Sequence, residues 1–430
     1  MRSSAIQKFA CVVADKHRSR LYTSDPMEPL PEHRDRPHIR PFTPIGVQNA
    51  EKKVLVALRD PANLRGDGNS PVVPPEWLPL LSLLQGERSL DDLAEGTGAP
   101  KEFLVQLVSV LDEAGLLWGP NSERLEREAM ARVAAANAFP LGASIAAGED
   151  PVAAKAFIAD LLAKADDPEL EGELLGIVAP HLDYGRGGPT YAAAYKSFGT
   201  GAKVDRIVIL GTNHFGSGDG VVMSRFGFQT PFGIFNADLA VVDALGALLG
   251  ARLFKDEIDH LGEHSIQIQL PWIHEVFGNV PIVAALVPSP LVPMLADDGA
   301  RVSYDEFVPA LRAVLAEAPG RTLFVSSADL SHVGPQFGDE TPIGSEIRKQ
   351  VEAYDRSLLA VFLEGDEELF IKKLMNDQNH QRWCSVGNMT AAKIVTGGMP
   401  ELLEYSQGPL ESEAGANALV TSAALAFVRI

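Results

Sequence analysis

Three short apolar runs, each closing on a polar tip that carries a histidine, constrain this chain more than any other feature. Leu175–Tyr184 reads LGIVAPHLDY and ends its run at His181. Asp205–Gly216 reads DRIVILGTNHFG, breaking at Gly211 before Thr212, Asn213 and His214. Thr322–His332 reads TLFVSSADLSH and gives way to Ser326, Ser327, Asp329 and His332. A short aliphatic run bounded by turn residues is a strand buried on both faces, as in a parallel sheet. Polar residues straight after such a strand stand at its carboxyl end, where open α/β sheets hold ligands.

Strands and helices alternate throughout residues 139–430. Asp150 caps a helix over Val152–Ala165 with Pro151 in its first turn. A strand to His181, a helix Tyr191–Ser197 and the strand to Leu210 follow. Helices over Ala237–Leu249 and Leu261–Phe277 then lead to a strand Pro281–Val287 and a helix Tyr304–Glu317. The strand Leu323–Ser326, helices Glu346–Leu363 and Glu367–Met375, a helix after Cys384 and a strand Ala418–Ile430 complete the domain. That order predicts an α/β/α layered domain.

The first third of the chain reads differently. Residues 1–25 hold at most one weak element, and Pro26, Pro29, Pro31, Pro37, Pro41 and Pro44 make 1–45 an arm and linker. Within 46–120, Lys53–Leu58 alternates as a half-buried strand. Trp77, Leu80, Leu81 and Leu84 mark one helical face, Ser89 caps a short second helix, and Phe103, Leu104, Leu107, Val110 and Leu111 stripe a third. Gly115 closes it before an apolar strand Leu116–Trp118, the order of a winged helix. The stretch resembles the winged-helix units that recognise peptides in modified-peptide biosynthesis, and helix-turn-helix repressors. Its third helix is more acidic than basic, which favours docking over DNA readout. An Ala-rich linker helix spans 121–138.

The net charge of −20 argues against nucleic-acid binding. No apolar run is long enough to span a membrane, and the start is too weakly apolar for a secretory leader. Two cysteines, Cys11 and Cys384, make no disulfide framework; a reducing, cytoplasmic setting is expected.

The candidate chemistry gathers at the strand tips. Asp183, Tyr184 and Arg186 crowd the loop after His181, where Gly185, Gly187 and Gly188 let the backbone turn, and with Asn213 they are candidates for substrate contact. His260, Glu263 and His264 spell H-x-x-E-H, which invites a zinc-hydrolase reading with a downstream glutamate such as Glu340 as last ligand. Gly262 disfavours helix there, and the flanking pattern puts Glu263 and His264 at a helix start instead. Cys384 follows a polar stretch and precedes a helix; it is a candidate thiolate ligand or nucleophile. Sulfur with imidazole nitrogen suits iron, copper or zinc.

Together these strings resemble the Memo family, whose bacterial members are called AmmeMemoRadiSam system protein B. The matching strings are APHLDY with Gly187-Gly188, LGTNH at 210–214, EHSIQIQLPW at 263–272, SADLSH at 327–332 and Cys384 heading a helix. The resemblance implies the fold of class III extradiol dioxygenases, a three-layer α/β/α domain around a mixed central sheet. It implies a metal on His181, His214 and Cys384, iron(II) first, with copper or zinc behind it. It also implies that His264 or His332 moves protons while Glu263 and Asp329 hold orientation. Leu182-Asp183 and Ser385-Val386 depart from the family's usual Ala-Gly and Gly-Arg, the first adding a carboxylate near the site. The expected function is dioxygenase-like redox chemistry on a small molecule, peptide or modified residue. The alternatives are a scaffold working with radical-SAM and AMMECR1-like protein partners, the H-x-x-E-H zinc hydrolase, and a Cys384–His hydrolase.

Overall fold

Alternating apolar residues near the start of the chain close into a small antiparallel sheet. Strands β1 (Thr43–Gln48) and β2 (Val54–Arg59) pair as a hairpin, and β3 (Val72–Val73) adds to β2. The computed structural model describes residues 30–49, 51–199, 201–216, 220–288, 299–411 and 416–430. The element expected in residues 1–25, with Cys11, Pro26 and Pro29, lies outside them. The chain divides into two compact units after Arg132, inside the helix Pro120–Ala136.

In the first unit, Leu58, Leu84, Leu90, Leu104, Leu111 and Leu117 share one core. Ser89 and Asp92 form a reciprocal capping box on the helix Leu90–Thr97, which satisfies two otherwise orphaned backbone donors. The helix Lys101–Glu113 follows. The first expected helix contracts to a 3₁₀ turn, Pro75–Trp77, and one α-turn, Leu78–Leu81. The expected strand Leu116–Trp118 amounts to a single bridge between Ile39 and Leu117. A small sheet stands before the helices.

The second unit is built on an eight-stranded mixed sheet. Its centre is four parallel strands in the order β5 (Glu173–Ala179), β11 (Thr322–Ser327), β6 (Arg206–Thr212) and β10 (Ile282–Val287). Antiparallel strands flank this centre: β7 (Val222–Met223) beside β10, and β14 (Ala418–Arg429) beside β5. β13 (Met399–Leu410) pairs along nearly all of β14. The opposite edge of β14 serves β5 over one half and β12 (Asp329–Val333) over the other. A smaller sheet joins β4 (Ala138–Phe139), β8 (Gly227–Thr230) and β9 (Gly233–Phe235).

Both faces of the central strands are covered, which is why they read as unbroken apolar runs. Val178, Val208, Leu210, Val283 and Ala285 pack with the helices Leu239–Leu249, Tyr304–Glu317, Ser345–Leu363 and Val386–Thr396. Alternate residues such as Ile177, Ile207 and Ile209 face the other layer, where the helix Tyr184–Lys196 packs on β5 and β14 and against Pro151–Lys164. Asp150 accepts from the Ala153 amide at the start of the latter helix, as its sequence signal requires.

Three elements differ from expectation. The helix expected at Tyr191–Ser197 begins at Tyr184, because Asp183 caps it through the Arg186 amide. Gly187 and Gly188 therefore sit inside a helix, pressed against Tyr191 and Leu161, and permit close packing rather than a turn. The helix expected over Leu261–Phe277 is broken into Asp259–Gly262, a 3₁₀ turn Gln267–Gln269 and Leu270–Phe277. Finally, β13 has no counterpart among the expected elements; it carries Pro400 and Pro409, which an edge strand tolerates. Among the described residues no helix is long and apolar enough to cross a membrane.

The sheet itself offers a test. A Cβ on Gly176 would lie 2.6 Å from the Phe324 carbonyl oxygen on the adjacent strand. Gly176→Ala is expected to destabilise the second unit by about 1–3 kcal/mol, the usual cost of overpacking, read as a lowered urea midpoint. An unchanged midpoint would contradict this packing.

Candidate metal centre

Pairing in register brings the ends of three strands level. Ser327 of β11 stands opposite Ala179 of β5, and Ser326 opposite Leu210 of β6. The residues just beyond, His181 and His214, are therefore neighbours, with ring centroids 4.9 Å apart and planes at 90°. The His264 ring lies 4.9 Å from His214 and 5.3 Å from His181.

His181 is 3% exposed. Its Nδ1 lies 3.1 Å from the Ser327 carbonyl, which can only accept, so Nδ1 carries the proton and Nε2 a lone pair. Nε2 is 3.5 Å from Cys384 Sγ and 3.6 Å from Asp329 Oδ2. Burial, and then the nearby His214 and His264 rings, hold the His181 imidazole well below its ordinary range, so it stays neutral. Asp329 accepts from the His181 amide through Oδ1, and burial pushes its carboxyl up to about 6.

His214 is oriented by Glu263. The Glu263 carboxylate, side chain fully buried, accepts from the His214 amide at 2.7 Å and lies 3.1 Å from His214 Nδ1. The amides of His264 and Ser265 donate to the same group at 2.8 Å. A buried lone carboxylate costs several kcal/mol; hydrogen bonds to a charged group return about 1.5–3 kcal/mol each, so this donor set makes the burial tolerable. Burial alone would push the Glu263 carboxyl up, but His214 and His264 hold it well below the usual range. Burial alone would likewise lower His214, yet Glu263 beside it raises it well above the ordinary value. The close approach needs Gly211: a Cβ there would sit 2.5 Å from Ser265 Oγ.

Cys384 arrives from a distant part of the chain. Its Sγ is 3.1 Å from Ser385 Oγ, which in turn is 2.9 Å from Thr212 Oγ1 at the end of β6. Behind it Asn388 donates to the Ser327 carbonyl. His181, His214 and Cys384 each present one ligand atom, all within 4.8 Å of one another. His214, Glu263 and His264 meet the same limit, but the Glu263 oxygens are occupied by amides. The chemistry of the first set fits a metal: a neutral imidazole, a second imidazole with carboxylate support, and a thiol.

The model of Memo-like proteins matches residues 143–424 of this chain. The chain belongs to the Memo family. A MEMO1 family protein of Aquifex aeolicus is 28% identical over 334 residues, covering 76% of this chain and 83% of the relative. One from Thermus thermophilus is 31% identical over 295 residues, covering 65% and 82%. In this Memo protein the matched region takes in every residue of the candidate centre.

The other expected site residues fall in varied places. His332 lies on β12 with its Nδ1 directed at the Leu330 and Arg382 carbonyls, and burial lowers it to about 4. Asn213 donates to Asp259 at 2.7 Å. Three of the expected substrate contacts are engaged elsewhere. Asp183 caps its helix and pairs with Arg186 at 2.6 Å, and the buried Tyr184 donates to the Ile268 carbonyl. The helix that starts at Tyr184, just after His181, commits these polar atoms to partners within the protein.

The H-x-x-E-H reading is corrected by geometry. Glu263 is extended, with φ −84° and ψ 132°, so it neither starts a helix nor continues one, and His260 and His264 do not share a helix face. His260 packs on Phe139 and Phe228 and faces the Val222 carbonyl. Thr212, Ser265, Gln269, Ser385 and Asn388 tie the tips together; the first three lie inside the matching strings without being singled out there, and Asn388, inside the helix Val386–Thr396, has no signal of its own.

His260 gives a pH prediction. Burial lowers it to about 4, against about 6.5 when unfolded, so the unfolded chain binds the extra proton between those values. Stability is full above the unfolded value and falls as pH drops toward 4, by on the order of 3 kcal/mol from this group. His260→Gln, which retains a donor for Val222, is expected to flatten the fall in urea midpoint between those values; an unchanged slope would refute it.

Proposed function

We propose that His181 Nε2, His214 Nε2 and Cys384 Sγ hold one redox-active metal ion, iron(II) first and copper second, and that the Memo domain carries out dioxygenase-like redox chemistry on a small molecule or modified residue. One observation carries the reading: two imidazoles and a thiol from three separate segments converge at aligned strand ends, each imidazole oriented through its other ring nitrogen. Iron(II) on such a set would supply one-electron chemistry toward dioxygen, with coordination positions left for a substrate.

The chain's own groups would do the rest. Ser327 fixes His181 in the tautomer whose Nε2 is free, and Glu263 orients the His214 ring through Nδ1, so that a metal ion would take the place of a proton on its Nε2. His264 is the exposed member, its side chain 36% open, with Nδ1 anchored 3.1 Å from Glu263. Its Nε2 is left to take or give a proton at the mouth of the site. Asp329 holds the backbone of His181 through its amide. Zinc in the same set would serve polarisation rather than redox chemistry.

Protein purified without oxygen and supplied with iron(II) is expected to bind it stoichiometrically by metal analysis. His181→Ala, His214→Ala and Cys384→Ser should each weaken binding by about tenfold or more. Oxygen uptake with a panel of catechols then reads turnover. Failure to bind iron or copper, or undiminished binding by His181→Ala, overturns the reading. Stoichiometric metal without turnover points to the scaffold role.

A further inference from the structure

A further buried carboxylate, outside every strand tip, is hydrogen-bonded to the residue before Cys384. Asp355, on the helix Ser345–Leu363, is 0% exposed. Its Oδ1 accepts from Ser331 Oγ at 2.6 Å and from the Trp383 indole at 2.8 Å. Its Oδ2 accepts from Thr421 Oγ1 at 2.6 Å and from the Tyr405 hydroxyl at 2.9 Å. An ionised carboxylate offers about four acceptor positions, and here four donors converge on it. None of these contacts involves a candidate ligand, yet Trp383 is the residue immediately before Cys384.

The segment carrying Trp383 is conformationally costly. Gln378, Asn379 and Arg382 have φ of 58°, 48° and 59°, left-handed values that non-glycine residues rarely adopt. Such backbone persists only where its surroundings over-determine it. Asn379 clamps Trp383 twice, its side chain accepting from the Trp383 amide and donating to the Trp383 carbonyl, both at 2.9 Å. The His332 amide donates to the Gln381 carbonyl at 2.7 Å. β12 is itself bulged between Asp329 and His332, and the Ser331 amide is satisfied by Thr421 Oγ1 at 2.9 Å. Asp355 is where the strap, the bulge, β13 and β14 are joined.

We infer that Asp355 is a positioning residue for Cys384: through the Trp383 indole it holds the strap that aims the Cys384 sulfur at His181 and His214. The inference rests on the metal reading for its purpose but not for its test. With Cys11→Ser leaving Cys384 as the single thiol, two readouts are taken: the rate of Cys384 alkylation by iodoacetamide in metal-free protein, and cobalt(II) affinity with its thiolate charge-transfer absorption. Trp383→Phe keeps the ring and removes the donor; Asp355→Asn keeps the shape and removes the charge. Both are expected to speed alkylation severalfold and to weaken cobalt binding by about tenfold or more. Tyr405→Phe removes a donor to the same carboxylate from a strand that does not carry Cys384, and should leave both readouts at wild type. Unchanged alkylation in Trp383→Phe, or an equal change in Tyr405→Phe, overturns the inference, and Trp383→Phe decides the matter if Asp355→Asn does not fold. If wild-type protein shows no Cys384-dependent cobalt band while the alkylation rates respond as expected, the metal reading falls and the positioning role stands.

Discussion

Parallel pairing of β5, β11 and β6 with their ends level is the constraint on which the site depends. A parallel ladder fixes where each strand stops relative to its neighbours, so His181 and His214, each placed just past a strand end, have no choice but to meet. Single-residue slippage would turn every inward side chain outward, and the packed layers on both faces forbid it. The apolar runs that make the sheet stable are thus the same feature that sets the distance between two imidazoles. Their stability and the site's geometry share one cause.

Level strand ends alone leave a problem of charge. The site gathers a carboxylate, a thiol and imidazoles where water is scarce, and a charged group is costly to bury there. The chain answers with backbone donors. Glu263 is extended rather than helical so that the His264 and Ser265 amides can turn toward its carboxylate, and Gly211 leaves room for that segment against β6. The break in the expected helix is therefore a condition for keeping Glu263 ionised beside His214. A continuous helix would have used those amides internally and left the carboxylate with little but imidazole.

Much of this is legible in the amino-acid sequence. Short aliphatic runs gave the central strands to within a residue or two, because burial on both faces leaves a plain composition signal. His181, His214 and Cys384 are named as one set by the family resemblance, and the structure brings their ligand atoms together. What stayed hidden depends on long-range contact. Nothing local marks MPELLEYSQGPL as a strand; β14 alone makes it one. Tyr184 and Asp183 looked like site residues because they adjoin His181, but capping starts a helix at once and commits their polar atoms. H-x-x-E-H carries a motif's spelling without its helix, and His260 is a core residue among phenylalanines.

Cys384 shows why the least legible part of the centre needs the most support. The two histidines inherit their places from the sheet; the sulfur belongs to no strand and comes at the end of a strap with three left-handed residues. A thiol on a free loop would sample many positions, and ordering it costs conformational entropy. The strap is held at separate points by Asn379, by the Gln381 carbonyl and by the indole of Trp383 on Asp355. Each hydrogen bond is modest by itself, about 0.5–1.5 kcal/mol between neutral groups and more to a carboxylate. Together they match the few kcal/mol that left-handed backbone of this kind stores. The sheet thus sets the places of two candidate ligands, and the strap that carries the third is tied down by a buried polar network.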